Sequence, residues 1–222
     1  LSREPSRSMA NFIQRFVILG STALVASCSA PTHEPRNLSH LKKEVSSYVD
    51  DGAYARDLKT SAEAANAWIK KRAAAGGKLA VVFDIDETVL SNLPHIREED
   101  WGYDPNIWGR WVAERRAPAI DPLREVYRTA LANKIDVFFI TGRKDYEKTS
   151  TAQNLRSQGM GTYSELIVKP SSFPSGKSAA IFKSAERAKI ESKGYKIIAS
   201  IGDQQSDLDG GYTERTFKLP NP

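Results

Sequence analysis

Two carboxylates, Asp84 and Asp86, stand one residue apart just after the apolar segment Leu79-Ala80-Val81-Val82. Such a segment reads as a buried strand of a parallel sheet. The pair then lies where a strand gives way to a loop, the edge at which open α/β sheets bind ligands. If the extended conformation holds through Asp86, residues two apart point the same way and both carboxylates face one site. Side by side they repel and cannot both stay ionised cheaply. A bound cation relieves that repulsion, and Mg²⁺ favours a few carboxylates together with waters and a phosphate. The plain alternative is an Asp-rich turn that caps a strand.

Three later segments weigh against that alternative. A second apolar strand, Ile135-Asp136-Val137-Phe138-Phe139-Ile140, ends in Thr141-Gly142-Arg143. A third, Ile197-Ile198-Ala199-Ser200-Ile201, ends in Gly202-Asp203-Gln204-Gln205-Ser206-Asp207. Between them lies a Lys-rich segment running from Gly176-Lys177-Ser178 to Lys183-Ser184-Ala185-Glu186-Arg187. Acid, hydroxyl, cation and acid follow one another, most of them just past the end of a strand.

This ordered set resembles the haloacid dehalogenase superfamily, and within it the class B/C acid phosphatases that include bacterial lipoprotein phosphatases. The strings that carry the likeness are Asp84-Ile85-Asp86-Glu87-Thr88-Val89-Leu90-Ser91-Asn92, Phe138-Phe139-Ile140-Thr141-Gly142-Arg143 and Gly202-Asp203-Gln204-Gln205-Ser206-Asp207-Leu208. It extends from about Leu38 to the closing Phe217-Lys218-Leu219-Pro220. The family usually continues past the Pro220-Asn221-Pro222 pattern with a short aromatic run, which is not found here.

The resemblance implies a Mg²⁺-dependent hydrolase of small phosphomonoesters, 5′-nucleotides among them. Asp84 would attack phosphorus to form an aspartyl-phosphate. Asp86 would protonate the leaving alkoxide and later take a proton from water. Mg²⁺ would be held by the Asp84 carboxylate, the Asp86 backbone carbonyl and Asp203, with Asp207 as a ligand, a neighbour of the ligands or a helix cap. The Thr141 hydroxyl and the backbone N–H groups that follow, with Gly142, would bind a phosphate oxygen. Arg143 would support the phosphate or a carboxylate. Lys183 best matches the family's cation, with Lys177 next and Lys169 a third candidate. The rival readings are a phosphotransferase on the same fold and a non-catalytic, lipid-anchored binding or storage protein.

Strands alternating with helical segments are needed to bring these residues together. They imply a doubly wound parallel sheet, α/β in class, with right-handed crossovers. Glu165-Leu166-Ile167-Val168 supplies another strand, and Thr216-Phe217-Lys218-Leu219 a short last one. Asp121-Pro122 reads as the N-cap and first residue of a helix. Residues 92–118 are an insertion after the nucleophile loop, the place of a cap in the superfamily. It carries Trp101, Tyr103, Trp108 and Trp111. Those rings would pack the cap or stack on a substrate ring, with Trp101 and Trp108 the candidates for substrate. Leu38–Asp50 and Tyr54–Ala75 have helical spacing. They would pack on the sheet or on another subunit, the latter making a homodimer.

Composition excludes other classes. The 222 residues carry a net charge of +5, but Lys and Arg are interleaved with Asp and Glu. No Arg-rich arm, zinc spacing or aromatic RNA-binding string occurs, which argues against nucleic acid as the partner. Cys28 is the single cysteine, so no intrachain disulfide forms. It closes Val25-Ala26-Ser27-Cys28, which resembles a bacterial lipobox. Met9 starts a plausible leader with Arg15 and the apolar run from Phe16 to Ala26, too short to span a bilayer. Residues 1–28 are therefore expected to be leader, with 1–8 upstream of a natural-looking start. Residues 29–37 would be a tether and 38–222 the catalytic body. Lipid on Cys28 would anchor the protein to the cell envelope, and Ser29 resembles an outer-membrane sorting signal.

Overall fold

The computed structural model describes residues 35–221. The leader, Cys28 and the first part of the tether lie outside the described residues.

Five strands form one parallel sheet in the order β3-β2-β1-β4-β5. They are β1 (Leu79–Phe83), β2 (Asp136–Lys144), β3 (Glu165–Lys169), β4 (Lys196–Gly202) and β5 (Thr216–Lys218). Every residue of β1 is buried, as expected for a strand covered on both faces. Val81 and Phe83 face one side, Ala80 and Val82 the other, and each set joins a different core. The first core is covered by α2 (Ala53–Ala73) and α5 (Asp121–Ala132), through side chains such as Ile69 and Leu123. The second is covered by α7 (Ala179–Ser192), through Phe182 and Ile190. Truncating a core ring such as Phe182 to Ala would cost about 3–5 kcal/mol.

The chain runs from β1 outward to β2 and β3, then returns past β1 to β4. The sheet thus reverses direction beside β1, and the crevice at such a switch point is where open α/β sheets take ligands. Asp84 sits there. Its N–H donates to Ile201 O at 2.9 Å, prolonging the β1–β4 pairing by one residue.

Two local expectations are corrected. The second apolar strand does not stop before Thr141; β2 continues to Lys144, with a register shift against β3 between Thr141 and Lys144. The same stretch carries Arg143, whose side chain is buried and paired with Asp86. Asp121 is not the N-cap of α5. Ile120 takes that place without a side-chain bond, and Asp121 is the first helical residue, accepting from Arg124 at 2.6 Å. Backbone geometry at Ile120 opens the helix, and Asp121 is free to pair one turn on.

Two short helices follow β1: α3 (Leu93–Glu98) and α4 (Pro105–Glu114). Asp104 caps α4 by accepting from the N–H groups of Asn106 at 2.7 Å and Ile107 at 3.1 Å. The remaining helices are α1 (Leu38–Asp50) and α6 (Lys148–Ser157). Ion pairs from Lys42 to Asp100 and from Arg97 to Asp50, each 2.5 Å, join α1 to the segment around α3. Among the described residues, no helix is long and apolar enough to cross a membrane.

Candidate active site

Asp84, Asp86, Gly142, Lys183, Asp203 and Asp207 line one cavity of about 350 Å³ at the carboxyl ends of β1, β2 and β4. Asp84 is buried, and Lys183 Nζ donates to its Oδ1. The same ammonium donates to Asp207 Oδ1 at 2.6 Å. Lys183 therefore bridges two acids from separate elements. Helix α7 begins at Ser178, whose hydroxyl accepts the N–H of Ala180 at 3.2 Å. The first helical turns then carry Lys183 under the sheet edge. Lys177, just before that cap, is exposed, and Lys169 at the end of β3 is half-buried and does not line this cavity.

Asp84, Asp203 and Asp207 each place an oxygen within 4.8 Å of the others. All three are buried. Burial pushes the Asp84 carboxyl well above the ordinary value, with Lys183 opposing and the other acids adding to the rise. Burial first, and Asp207 and Glu87 after it, push Asp203 up to about 7. Three buried carboxylates whose oxygens converge this closely fit a divalent cation, which would offset their mutual repulsion. Thr88 fixes Asp203 by accepting its N–H at 3.1 Å and donating to its Oδ1 at 3.3 Å.

Asp86 shares the cavity but not the cluster. Its Oδ1 receives Arg143 Nη2 at 2.7 Å and Nε at 3.0 Å, and Asn92 Nδ2 at 2.8 Å. Burial works to raise its pKa, but the charge and hydrogen bonds of Arg143 prevail and hold the carboxyl below its usual range. The two acids are thus held by different partners, Asp84 by Lys183 and Asp86 by Arg143. Neighbouring Glu87 is pushed by burial to about 7, and it accepts the Asn92 N–H at 2.5 Å.

Thr141 is fully buried, and its Oγ1 accepts the N–H of Arg143 at 3.1 Å. That N–H is therefore engaged with Thr141, and the Thr141 hydroxyl proton is the group left to donate. Gly142 is on the cavity wall, where a Cβ would meet nothing within 4 Å. Trp101 also lines the cavity. It follows Asp100 in the left-handed region, at φ +61° and +48° respectively. Trp108 stands beside Arg143, 5.6 Å from its guanidinium to the ring centre. Trp111 is core, stacked on His95 with ring centres 5.4 Å apart. Tyr103 is exposed.

Sequence reasoning assigned no role to Asn92 or Arg187. Asn92 links Asp86 to the insertion by accepting Trp111 Nε1 at 2.8 Å. Arg187 is fully buried and donates to the backbone oxygens of Asp207 at 2.6 Å, Gly211 at 2.9 Å and Asp209. It stands one turn from Lys183, on the same face of α7. That spacing was the one signal for it.

A model of the HAD superfamily, subfamily IIIB (acid phosphatase), matches residues 16–222. This chain belongs to that family. Relatives include the stem 28 kDa glycoprotein of Glycine max, 38% identical over 146 residues, 64% of this chain and 58% of that one. Acid phosphatase 1 of Solanum lycopersicum is 33% identical over 186 residues, 82% of this chain and 68% of that one. The chain thus spans just over half the length of the soybean relative. The class C acid phosphatase of Bacillus anthracis shares the fold, with a TM-score of 0.67 at 21% identity over 82% of this chain and 84% of that one.

Proposed function

We propose that this chain is a Mg²⁺-dependent acid phosphatase that hydrolyses small phosphomonoesters, 5′-nucleotides among them, through an aspartyl-phosphate on Asp84. The observation that carries this reading is the placement of Asp84. It is a buried carboxylate at the end of the central strand, held by Lys183 and beside two further acids. Asp86 stands in the same cavity on separate supports.

An Asp84 carboxylate oxygen attacks phosphorus and the ester P–O bond breaks. Asp86, whose proton affinity Arg143 lowers despite burial, would draw a proton as the phosphate anion enters the site and give it to the departing alkoxide. Water then attacks the phosphorus, Asp86 takes its proton, and Asp84 leaves as the free carboxylate. Lys183 offsets the charge of the transferred group while fixing the attacking carboxylate. The Thr141 hydroxyl and the open surface at Gly142 receive phosphoryl oxygens. Asp84, Asp203 and Asp207 would hold the Mg²⁺ ion, which supplies charge neutralisation between carboxylate and phosphate.

The envelope location also belongs to this proposal. Its support is the Val25-Ala26-Ser27-Cys28 string, with lipid on Cys28 tethering the catalytic body outside the cytoplasm.

The test is release of phosphate from p-nitrophenyl phosphate with Mg²⁺, with EDTA, and by Asp84→Asn. Uncatalysed monoester hydrolysis is so slow that enzymes accelerate it by up to ~10²¹. Loss of the nucleophile should therefore leave no measurable turnover. Acid quench of ³²P-labelled substrate should label wild type and not Asp84→Asn. Near-normal turnover by that variant would exclude the mechanism.

A further inference from the structure

Lys169 was one of three candidate cations, and the fold leaves it outside the catalytic cluster. It is the direct register partner of Lys144 across the β2–β3 ladder, at the carboxyl edge of the sheet. The pairing exists because of the irregularity after Thr141, which brings Lys144 opposite Lys169. Like charges directly opposite one another destabilise a sheet. Neither lysine has an ion-pair partner among the described residues. Both are half-buried and line a second cavity of about 360 Å³.

That cavity adjoins the catalytic one, since Asp86 and Gly142 line both. Its two carboxylates face three cations, Arg143, Lys144 and Lys169, a formal surplus of one positive charge. Asp86 is paired with Arg143, and Glu147 accepts the backbone N–H of Lys144 at 2.5 Å. Tyr103, Trp108 and Tyr146 supply aromatic walls. An alkoxide protonated by Asp86 must depart on the Asp86 side, so this space faces the leaving group.

We propose that Lys144 and Lys169 form a second anion subsite, which selects phosphomonoesters whose leaving group carries a carboxylate or a further phosphate. The inference rests on the phosphatase reading above and adds a substrate class to it. The second anion supplies the counter-charge that the paired lysines lack. Burial, and after it the charge of Lys144, lowers the pKa of Lys169, in keeping with two cations held together.

The test compares matched substrates: 3-phosphoglycerate against glycerol 3-phosphate for a carboxylate, and fructose 1,6-bisphosphate against fructose 6-phosphate for a second phosphate. Wild type should favour the doubly anionic member of at least one pair by about threefold to fivefold in kcat/KM, the upper part of the range for one partly exposed charge contact. Which pair shows the preference identifies the anion. Lys144→Gln and Lys169→Gln should each reduce the preference, mainly through KM. Turnover of p-nitrophenyl phosphate should stay within about twofold, as for ordinary surface changes. Removing either charge relieves the repulsion, so Tm should hold or rise, which separates loss of the subsite from loss of the fold. Lys177→Gln, an exposed change elsewhere, is the control for general charge attraction.

Equal use of both members of each pair by wild type would overturn the subsite alone. An equal effect of Lys177→Gln would do the same. No turnover of any compound, p-nitrophenyl phosphate included, would overturn the phosphatase reading and the subsite with it.

Discussion

Arg143 grips Asp86 with two nitrogens, Nη2 at 2.7 Å and Nε at 3.0 Å from the same carboxylate oxygen. The guanidinium side chain is 1% exposed, whereas the carboxylate is 26% exposed and open to the cavity. Nη1 is spent on Thr151 at 3.2 Å, and Thr151 in turn donates to Glu147 O at 2.9 Å. Arg143 is therefore a fixed support for Asp86, the acid proposed to serve the leaving group.

Arg143→Lys should show what that support is worth. Lysine keeps the charge but cannot reproduce the planar fork. Because a positioned general acid contributes about 10²–10⁴ in rate, a loosened Asp86 should lower kcat by about 10². KM should change little. The stability cost should fall below the about 3–5 kcal/mol of a fully buried broken pair, because water reaches Asp86. Steady-state kinetics and a melting curve check both parts, and an unchanged kcat would remove Asp86 positioning from the mechanism.

Removal of the cation should be visible without any assay of turnover. Lys183 pairs with Asp84 and Asp207, and no ion pair among the described residues serves Asp203. Mg²⁺ at 100-fold its dissociation constant should stabilise by about 2.7 kcal/mol. For a domain of this size that is a rise in Tm of about 5–10 °C. Asp203→Asn should abolish the rise. Lys183→Ala should cost about 3–5 kcal/mol without metal, since it strands Asp84 and Asp207, and Mg²⁺ should recover a larger share than in wild type.

The pH behaviour of the insertion follows from Asp104. The N–H groups of Ile107 and Asn106 hold its carboxyl below the ordinary value. A depressed acid contributes stability above its unfolded pKa of about 3.9, and that contribution is lost as pH falls through the folded value. The cap of α4 should therefore be intact at mildly acidic pH and weaken only below about pH 4. Asp104→Ala should expose the segment between α3 and α4 to proteolysis at pH 5.5, where wild type resists. Equal cleavage of both proteins would show that Asp104 does not hold the segment.

Much of this site was legible because its parts sit at strand ends, where short strings such as Asp84-Ile85-Asp86 and Gly202-Asp203 follow apolar runs. The choice among Lys169, Lys177 and Lys183 was legible only through the family pattern, which favoured Lys183. It depends on where α7 starts and how it docks, and one-dimensional spacing does not encode that. Arg143 was expected to support the phosphate or a carboxylate, but that the carboxylate is Asp86 could not be read, because it needs β2 to run past Ile140 and shift register. The same shift sets Lys144 against Lys169. Of the rings in the insertion, Trp101 and Trp108 were the candidates for substrate; Trp101 lines the cavity, Trp108 stands beside Arg143, and Trp111 is core. Long-range packing decides between them.

Gly202 tests how tightly the acids are packed. A Cβ there would overlap the Asp207 side chain, lying within 2.8 Å of its Cγ. Asp207 cannot yield freely, because its Oδ2 accepts the Gln204 N–H at 2.8 Å and its Oδ1 holds Lys183. Gly202→Ala should push Asp207 off both partners while leaving β4 able to form, since alanine is tolerated in extended backbone. Overpacking of this kind typically costs about 1–3 kcal/mol. Activity should fall much further than stability, and the affinity for Mg²⁺, measured by calorimetry, should fall with it. Gly142→Ala is the contrasting change, because a Cβ there enters open space. It should leave Tm and Mg²⁺ affinity unchanged and raise KM by crowding the phosphate. If Gly202→Ala bound Mg²⁺ as wild type does, Asp207 would be no part of the metal site.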